Sequence, residues 1–343
     1  MTKRHAIWLG VAALWVSSAT GCASAPPAPG EDEHIVIGIH GLRPKPEAEA
    51  LRSEWHRALL QGLSLHTQST PDSIPFRMVR WVRRVSSEPQ PCPELTLSGD
   101  SRAHQAFVTQ LGAASYALDE MIDRRFPQAE DLSDKPLAAL AELLPWEQLQ
   151  TELREYYGDP LLKRETRDSL ASVLRRNQDK DIMLIAHSMG SMIAYDVLQE
   201  TGLRVDHFVT VGSPLGLAPV REAMKRDWER DTLEVPRGVV RWTNLADRLD
   251  IVAADQSLDS FGPNAAGVTP EDFPVAAWVP RDLRPETPIT EIPSIIGSVV
   301  DGFRAGFTIA VTHLDLVRHH SICGYLSNPR MAEILSEFLD LTP

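Results

Sequence analysis

From residue 34 onward, short apolar runs alternate with longer stretches whose apolar residues recur every three or four positions. The short runs are typical of buried strands, and the longer period is typical of amphipathic helices. We therefore expect strands at His34–Ile39, Phe76–Arg83, Ile182–Ile185, Phe208–Val211 and Val239–Asn244. We expect helices at Glu47–His66, Pro160–Arg176, Leu217–Trp228 and Pro329–Leu339. Strands that alternate with helices predict an α/β protein with a mostly parallel central sheet and helices on both faces.

The stretches between these elements have weaker patterns. Ser86–Ser101 predicts a loop, and Ser257–Pro293 predicts a long loop or lid because it is rich in proline, glycine and acidic residues. Ala103–Phe126 predicts a helix, and Gln128–Tyr157 predicts short helices that form a candidate helical cap over the sheet. Ile292–Thr312 is interrupted by charged residues, which favours an amphipathic element near an active-site mouth over a membrane span.

One strand and the helix after it are joined by the sequence Ala186-His187-Ser188-Met189-Gly190. A serine between small residues at this kind of junction predicts a nucleophile elbow, a sharp turn that exposes the serine hydroxyl at the strand end. The turn requires small residues two before and two after the serine, and Ala186 and Gly190 meet that requirement. Ser188 is therefore the candidate nucleophile. We expect His187 to have a packing or pocket role, because neighbouring side chains diverge around such an elbow.

A serine hydroxyl needs an imidazole to accept its proton and a carboxylate to orient that imidazole. In chain order the acid should follow a later strand, and the histidine should come last. Asp250 is the preferred acid because two β-branched residues follow it, and Asp247 is the alternative. His320 is the preferred base because it is the last histidine before the closing helix, and His319 is the alternative.

The first predicted strand ends at His40-Gly41-Leu42, a sequence that resembles the loop supplying half of an oxyanion hole in α/β-hydrolases. A glycine there lets the backbone turn so that the Leu42 amide faces a reacting carbonyl. The amide of Met189, directly after the nucleophile, is the expected second donor.

Composition narrows the classes of partner and the location. The 343 residues carry 34 Lys and Arg against 47 Asp and Glu, a net charge of −13 without a long basic run, which argues against a nucleic-acid partner. Residues 3–5 are basic and residues 6–19 are apolar but too short to cross a bilayer, a pattern that predicts a signal peptide over residues 1–21.

The sequence Ala19-Thr20-Gly21-Cys22 resembles a bacterial lipobox, which implies lipidation at Cys22 and a membrane anchor. Because Ala23 rather than Asp follows the cysteine, this resemblance implies an outer-membrane location facing the periplasm. An ordinary secretory signal, giving a secreted or periplasmic protein, is the alternative. Residues 22–33 then form a tether and residues 34–343 form the folded domain. Whether Cys92 and Cys323 pair is left open by the sequence.

Together these motifs resemble α/β-hydrolases of the lipase and esterase type, from about Ile35 to the carboxyl terminus. The elbow is similar to the G-H-S-M-G form, with Ala186 in place of the first glycine, and Thr210-Val211-Gly212-Ser213-Pro214 and Asn244–Val252 add to the likeness. The resemblance implies an α/β-hydrolase fold and hydrolysis of acyl esters, including membrane lipids, through an acyl-enzyme on Ser188 without metal or organic cofactor. An acyltransferase or thioesterase with the same triad, and a non-catalytic envelope binding protein of this fold, are the alternatives.

Overall fold

The computed structural model describes residues 33–41, 45–81, 92, 156–247, 250–253, 257–275 and 320–341. The predicted signal peptide, Cys22, the tether up to residue 32, Leu42 and His319 lie outside these residues. So do the predicted elements at Ala103–Phe126 and Ile292–Thr312, the loop Ser86–Ser101 except for Cys92, and most of the candidate cap at Gln128–Tyr157.

Within the part of the chain that the structure describes, six parallel strands form the central sheet. They are β1 (His34–Ile39), β2 (Phe76–Val79), β3 (Asp181–His187), β4 (His207–Val211), β6 (Trp242–Asp247) and β8 (Pro270–Val275). Their order across the sheet is β2-β1-β3-β4-β6-β8, and every neighbouring pair is parallel. Two further strands, β5 (Leu233–Glu234) and β7 (Phe261–Gly262), pair with each other. The predicted mostly parallel α/β sheet is confirmed.

The helices named here are α1 (Ala48–His66), α2 (Pro160–Arg175), α3 (Met189–Thr201), α4 (Ala218–Asp227), α5 (Ile322–Leu326) and α6 (Pro329–Phe338). Local chemistry fixes where two of them begin. The Asp159 carboxylate accepts the first free amides of α2, and Asn328 does the same for α6. Each cap is followed by a proline, whose fixed φ suits the first helical position.

The hydrophobic core lies in two layers, one on each face of the sheet. Along β1, Ile35, Ile37 and Ile39 belong to the layer that contains α2 and α3, whereas Val36 belongs to the layer that contains α1 and α6. Successive side chains of a strand point to opposite faces, so a strand covered on both sides must be apolar throughout. This explains why β1 and β3 are mostly apolar runs in the sequence.

Three predictions of extended structure need correction. The strand expected at Phe76–Arg83 is β2 at Phe76–Val79, and Arg80 and Trp81 lie outside it. The strand expected at Val239–Asn244 is β6 at Trp242–Asp247, because Val239 forms only an isolated bridge with Val205 before the ladder begins. The long loop expected at Ser257–Pro293 contains β7 and β8 in its described part. Strand β8 includes Pro270 and Pro274 and lies at the edge of the sheet, where a residue without an amide hydrogen is tolerated.

Cys92 and Cys323 form a disulfide bond, with their Cα atoms 5.3 Å apart. Residue 92 is attached to α1 by two further contacts, since its amide donates to Glu54 and its carbonyl accepts from Arg57. The bond therefore fastens α5 to the α1 face of the sheet. Within the described part of the chain, the search for a helix long and apolar enough to cross a membrane finds none.

We expect the protein with both Cys92→Ser and Cys323→Ser to lose about 2–5 kcal/mol of unfolding free energy, the usual cost of removing a native disulfide. The bond links residues 231 positions apart, so its loss releases a long constraint on the unfolded chain. Urea unfolding of wild type and variant, each with and without reductant, measures this. Reductant should destabilise only the wild type, and equal stability of all four samples would contradict the prediction.

His207 lies at the start of β4, and its ring is 2.8 Å from the Thr243 hydroxyl. Burial lowers the pKa of His207 to about 3, and the charges of Arg241 and Arg330 add to this effect. Between that value and the ordinary value of about 6.5, the unfolded chain binds a proton at this position that the folded chain does not. Acidification through this window must therefore favour unfolding.

We expect His207→Asn to reduce the dependence of unfolding free energy on pH by about 1 kcal/mol per pH unit between pH 4 and 6. The carboxylates contribute equally to both proteins, so the difference between the two slopes isolates this histidine. Denaturant unfolding at several pH values measures the slopes. Parallel slopes would show that the folded protein protonates His207 as readily as the unfolded chain does.

Candidate active site

Ser188 lies in a sharp turn between β3 and α3, as the sequence predicts. Its backbone has φ 55° and ψ −134°, a conformation that residues with a side chain rarely adopt. The Ser188 amide donates to the Val211 carbonyl at 3.1 Å, and the amide and hydroxyl of Ser191 donate to the Ser188 carbonyl. Such strain persists only where the surroundings over-determine it, and it is common at functional sites.

Two glycines allow the backbone to approach the elbow closely. A Cβ atom at Gly190 would lie 2.6 Å from the His40 carbonyl oxygen at the end of β1. A Cβ atom at Gly41 would lie 2.5 Å from Cβ and 2.9 Å from Oγ of Ser188. The sequence predicted the need for a small residue at 190, and the neighbour that imposes it is the β1 end.

The three candidate triad residues meet in one line of hydrogen bonds. His320 Nε2 lies 2.9 Å from Ser188 Oγ, and His320 Nδ1 lies 2.8 Å and 3.0 Å from the two carboxylate oxygens of Asp250. An ionised carboxylate can only accept, so Nδ1 carries the ring proton and Nε2 is free to accept one from the serine. The arrangement can therefore turn the Ser188 hydroxyl into a nucleophile.

Asp250 is fully buried, and its environment keeps it ionised. Burial alone would raise its pKa, but the charge of His320 and hydrogen bonds from His320, Tyr325 and the Val252 amide outweigh burial and hold the pKa below its ordinary value. Of the two candidate acids, Asp250 is the one that receives the imidazole. Asp247 is the last residue of β6, and its carbonyl accepts the Asp250 amide at 3.0 Å.

His187 contacts the triad through the backbone of His320. Its Nε2 donates to the His320 carbonyl at 3.1 Å, and the centres of the two imidazole rings are 4.8 Å apart. Burial lowers the pKa of His187 well below its ordinary value, and the nearby His320 adds to the effect. A neutral ring suits this position, because a second cation would oppose protonation of His320. The His187 side chain therefore packs against the imidazole of His320.

His40 supports the turn that faces the nucleophile. Burial lowers its pKa to about 3, and its ring stacks on Trp81 with the ring centres 5.5 Å apart. The Trp81 amide donates to His40 Nε2, so Nδ1 carries the proton and donates to the Gly41 carbonyl at 2.6 Å. The sequence indicated His40-Gly41 as a turn, but Trp81 is a partner that it did not reveal.

Of the two expected oxyanion donors, Met189 is among the described residues and Leu42 is not. Met189 is the first residue of α3, and amides in the first turn of a helix have no acceptor within the helix. Its amide, next to Ser188, therefore needs an acceptor from outside the helix. Leu42 lies outside the described residues, directly after Gly41.

Three supporting residues have contacts at the site that the sequence did not predict. Gly212 has φ 54°, and a Cβ atom there would lie 2.8 Å from Asp250 Oδ2 and 3.2 Å from His320 Nδ1. Tyr325 contacts the carboxylate of Asp250, and the Ser213 hydroxyl lies 2.7 Å from that of Ser191. Gly212 and Ser213 belong to the stretch after β4 that already resembled the family, whereas Tyr325 is brought to the site by tertiary folding.

No protein-family model matches this chain, and no curated protein matches it either. Among the described residues, no group of three or more His, Cys, Asp or Glu side chains is placed to hold a metal ion.

We expect Gly41→Ala to slow reaction of Ser188 with a fluorophosphonate by about a hundredfold, because a displacement of 1 Å at a reacting group can cost this much. The added methyl group would overlap the serine side chain and push its oxygen from His320. Labelling rates followed by mass spectrometry measure the effect.

Gly158→Ala is the matched control, because a Cβ atom at Gly158 meets nothing within 4 Å. The control should react at the wild-type rate. Equal rates for the two variants would mean that Gly41 is not packed against the nucleophile.

Proposed function

We propose that this chain is a serine ester hydrolase of the lipase or carboxylesterase type, with an α/β-hydrolase fold. It cleaves acyl esters through an acyl-enzyme on Ser188. One observation carries the proposal: Ser188, His320 and Asp250 form a continuous line of hydrogen bonds of 2.9 and 2.8 Å. Their chain order and the elbow after a central parallel strand are those of α/β-hydrolases.

The first half of the proposed reaction transfers the acyl group to the protein. Ser188 Oγ attacks the carbonyl carbon of the ester while His320 Nε2 takes its proton. The tetrahedral intermediate carries an anionic oxygen, which the Met189 amide, and on our prediction the Leu42 amide, stabilise by hydrogen bonds. His320 then gives the proton to the departing alkoxide, and the carbon–oxygen bond of the ester breaks. Asp250 stays ionised and holds the imidazolium in place.

The second half returns the protein to its starting state. Water attacks the acyl-enzyme carbonyl and gives a proton to His320 Nε2. Collapse of the second tetrahedral intermediate breaks the bond to Ser188 Oγ, which recovers its proton from the imidazolium. The products are a carboxylic acid and an alcohol. No step needs a group beyond these side chains, the backbone amides and water.

We also propose that the protein is lipidated at Cys22. With an anchor at Cys22 and an outer-membrane location, the active site would work within a tether's reach of a lipid surface, which favours lipid esters as substrates. The net charge of −13 does not support a nucleic-acid substrate.

We expect wild-type protein to hydrolyse p-nitrophenyl esters, and Ser188→Ala to lower kcat by at least about a thousandfold because the nucleophile is gone. Asp250→Asn should lower kcat by a similar factor, because an amide cannot hold the required tautomer of His320. A panel of esters of increasing acyl length also tells a carboxylesterase from a lipase.

Ser172→Ala is the control, because Ser172 is a serine of α2 whose hydroxyl contacts Arg176. It should keep wild-type activity. Faster product formation with an added alcohol, giving a new ester, would identify an acyltransferase instead. Folded wild-type protein that neither hydrolyses these esters nor reacts with a fluorophosphonate would support the non-catalytic alternative and overturn the proposal.

A further inference from the structure

Tyr325 of α5 contacts the carboxylate of Asp250 directly. Its side chain is fully buried, and its hydroxyl donates to Asp250 Oδ2 at 2.8 Å. The phenolic oxygen of Tyr325 in turn accepts a hydrogen bond of 2.9 Å from the Asp247 amide. An amide can only donate, so the single phenolic proton must point at the carboxylate. The hydroxyl is thus oriented by the end of β6 toward Asp250.

Both oxygens of the Asp250 carboxylate accept hydrogen bonds. Oδ1 accepts a hydrogen bond of 2.9 Å from the Val252 amide. His320 Nδ1 lies within hydrogen-bond distance of both oxygens, and Oδ2 also accepts the hydrogen bond from the Tyr325 hydroxyl. Gly212 lies beneath the group, since a Cβ atom there would be 2.8 Å from Oδ2 and 3.0 Å from the Tyr325 ring. Removing the phenolic hydroxyl would leave Oδ2 with His320 as its remaining hydrogen-bond donor among these contacts.

The same short segment also carries the base. His320 and Tyr325 are five residues apart, and both contact Asp250, which lies 70 and 75 residues earlier in the chain. The two hydrogen bonds to Oδ2 have the same length of 2.8 Å. The position of the imidazole relative to the carboxylate is therefore set jointly by the backbone of this segment and by the phenolic hydroxyl.

We propose that Tyr325 is a positioning residue for the triad, whose hydroxyl fixes the orientation of the Asp250 carboxylate and moderates its pull on the His320 proton. The inference rests on the proposed function, because it assigns a role within that site. A carboxylate that already accepts a strong hydrogen bond attracts the imidazolium proton less, so loss of the Tyr325 hydroxyl should strengthen the pull of Asp250 on that proton.

Other titratable groups also surround this pair. His187 faces His320 from the end of β3, and Asp247 lies beside Tyr325 at the end of β6. Burial raises the pKa of Tyr325 well above its ordinary value, and the charges of Asp250 and Asp247 add to this effect. The phenol therefore stays protonated and remains a donor throughout the working pH range.

The test is Tyr325→Phe, which removes one oxygen and keeps the ring. We expect kcat for a p-nitrophenyl ester to fall about tenfold with KM unchanged, since the lost hydrogen bond orients the acid and does not contact substrate. We expect the acidic limb of the rate profile to move to higher pH by about half a unit. The midpoint of the His320 ring titration, followed by NMR of its Cε1 proton, should move in the same direction.

Tyr195→Phe is the matched control. Tyr195 is also buried, and its hydroxyl donates to the Glu234 carbonyl at 2.8 Å and accepts from Gln199. This variant should lose comparable stability but keep the wild-type kcat, rate profile and His320 titration. A purely structural role for Tyr325 predicts that the two variants behave alike.

The outcomes separate this inference from the proposed function. Active wild type with an unchanged rate profile and titration in Tyr325→Phe would overturn the role of Tyr325 alone. Wild type without esterase activity would overturn the proposed function, and the NMR titration would still show whether the phenol acts on the Asp250–His320 pair. If Tyr325→Phe fails to fold, the titration is made on Tyr325→Leu, which also lacks the hydroxyl and adds no volume to the packed site. An unchanged midpoint there would equally reject the inference.

Discussion

The structure depends most on a single buried carboxylate, that of Asp250. Removing such a group from water costs several kcal/mol unless charge and hydrogen bonds replace its hydration. Here the replacements are the imidazole of His320, the hydroxyl of Tyr325 and the amide of Val252. Each replacement comes from a group that must be in place before the carboxylate can remain ionised. The ionisation of Asp250 therefore depends on the packing that brings these groups to it.

The parallel sheet brings the residues of the site together. Parallel strands end at the same edge, so the residues after β1, β3, β4 and β6 are brought together there regardless of their separation in sequence. Gly41, Ser188, Gly212 and Asp250 follow these four strands in turn. The apolar layers on both faces fix the strands rigidly, and a rigid support is required because catalytic groups tolerate errors of only about 0.5 Å. The two glycines among these residues are needed because the backbone approaches the nucleophile and the acid closely.

Local patterns predicted the strands of the core and the chemistry-bearing residues at their ends. Ser188, Asp250 and His320 could be chosen because an elbow, a strand followed by an acid, and a histidine before a closing helix are each visible within about ten residues. Strand β8 was missed because Pro270 and Pro274 read as loop residues, and only the position at the sheet edge makes them compatible with a strand. Tyr325 and the Cys92–Cys323 bond were not predicted, because each depends on a contact between distant segments.

The segment from His320 to Leu326 shows why such contacts matter. A helix of five residues is unstable by itself, because too few hydrogen bonds repay the ordering of its backbone. Its position is instead fixed by attachments to Ser188, Asp250 and Cys92, which lie 132, 70 and 231 residues away along the chain. His320, the proposed general base, therefore occupies its place only when the sheet, α1 and the Asp250 turn have all formed. A local sequence pattern can mark the histidine, but its geometry relative to Ser188 and Asp250 is a property of the whole fold.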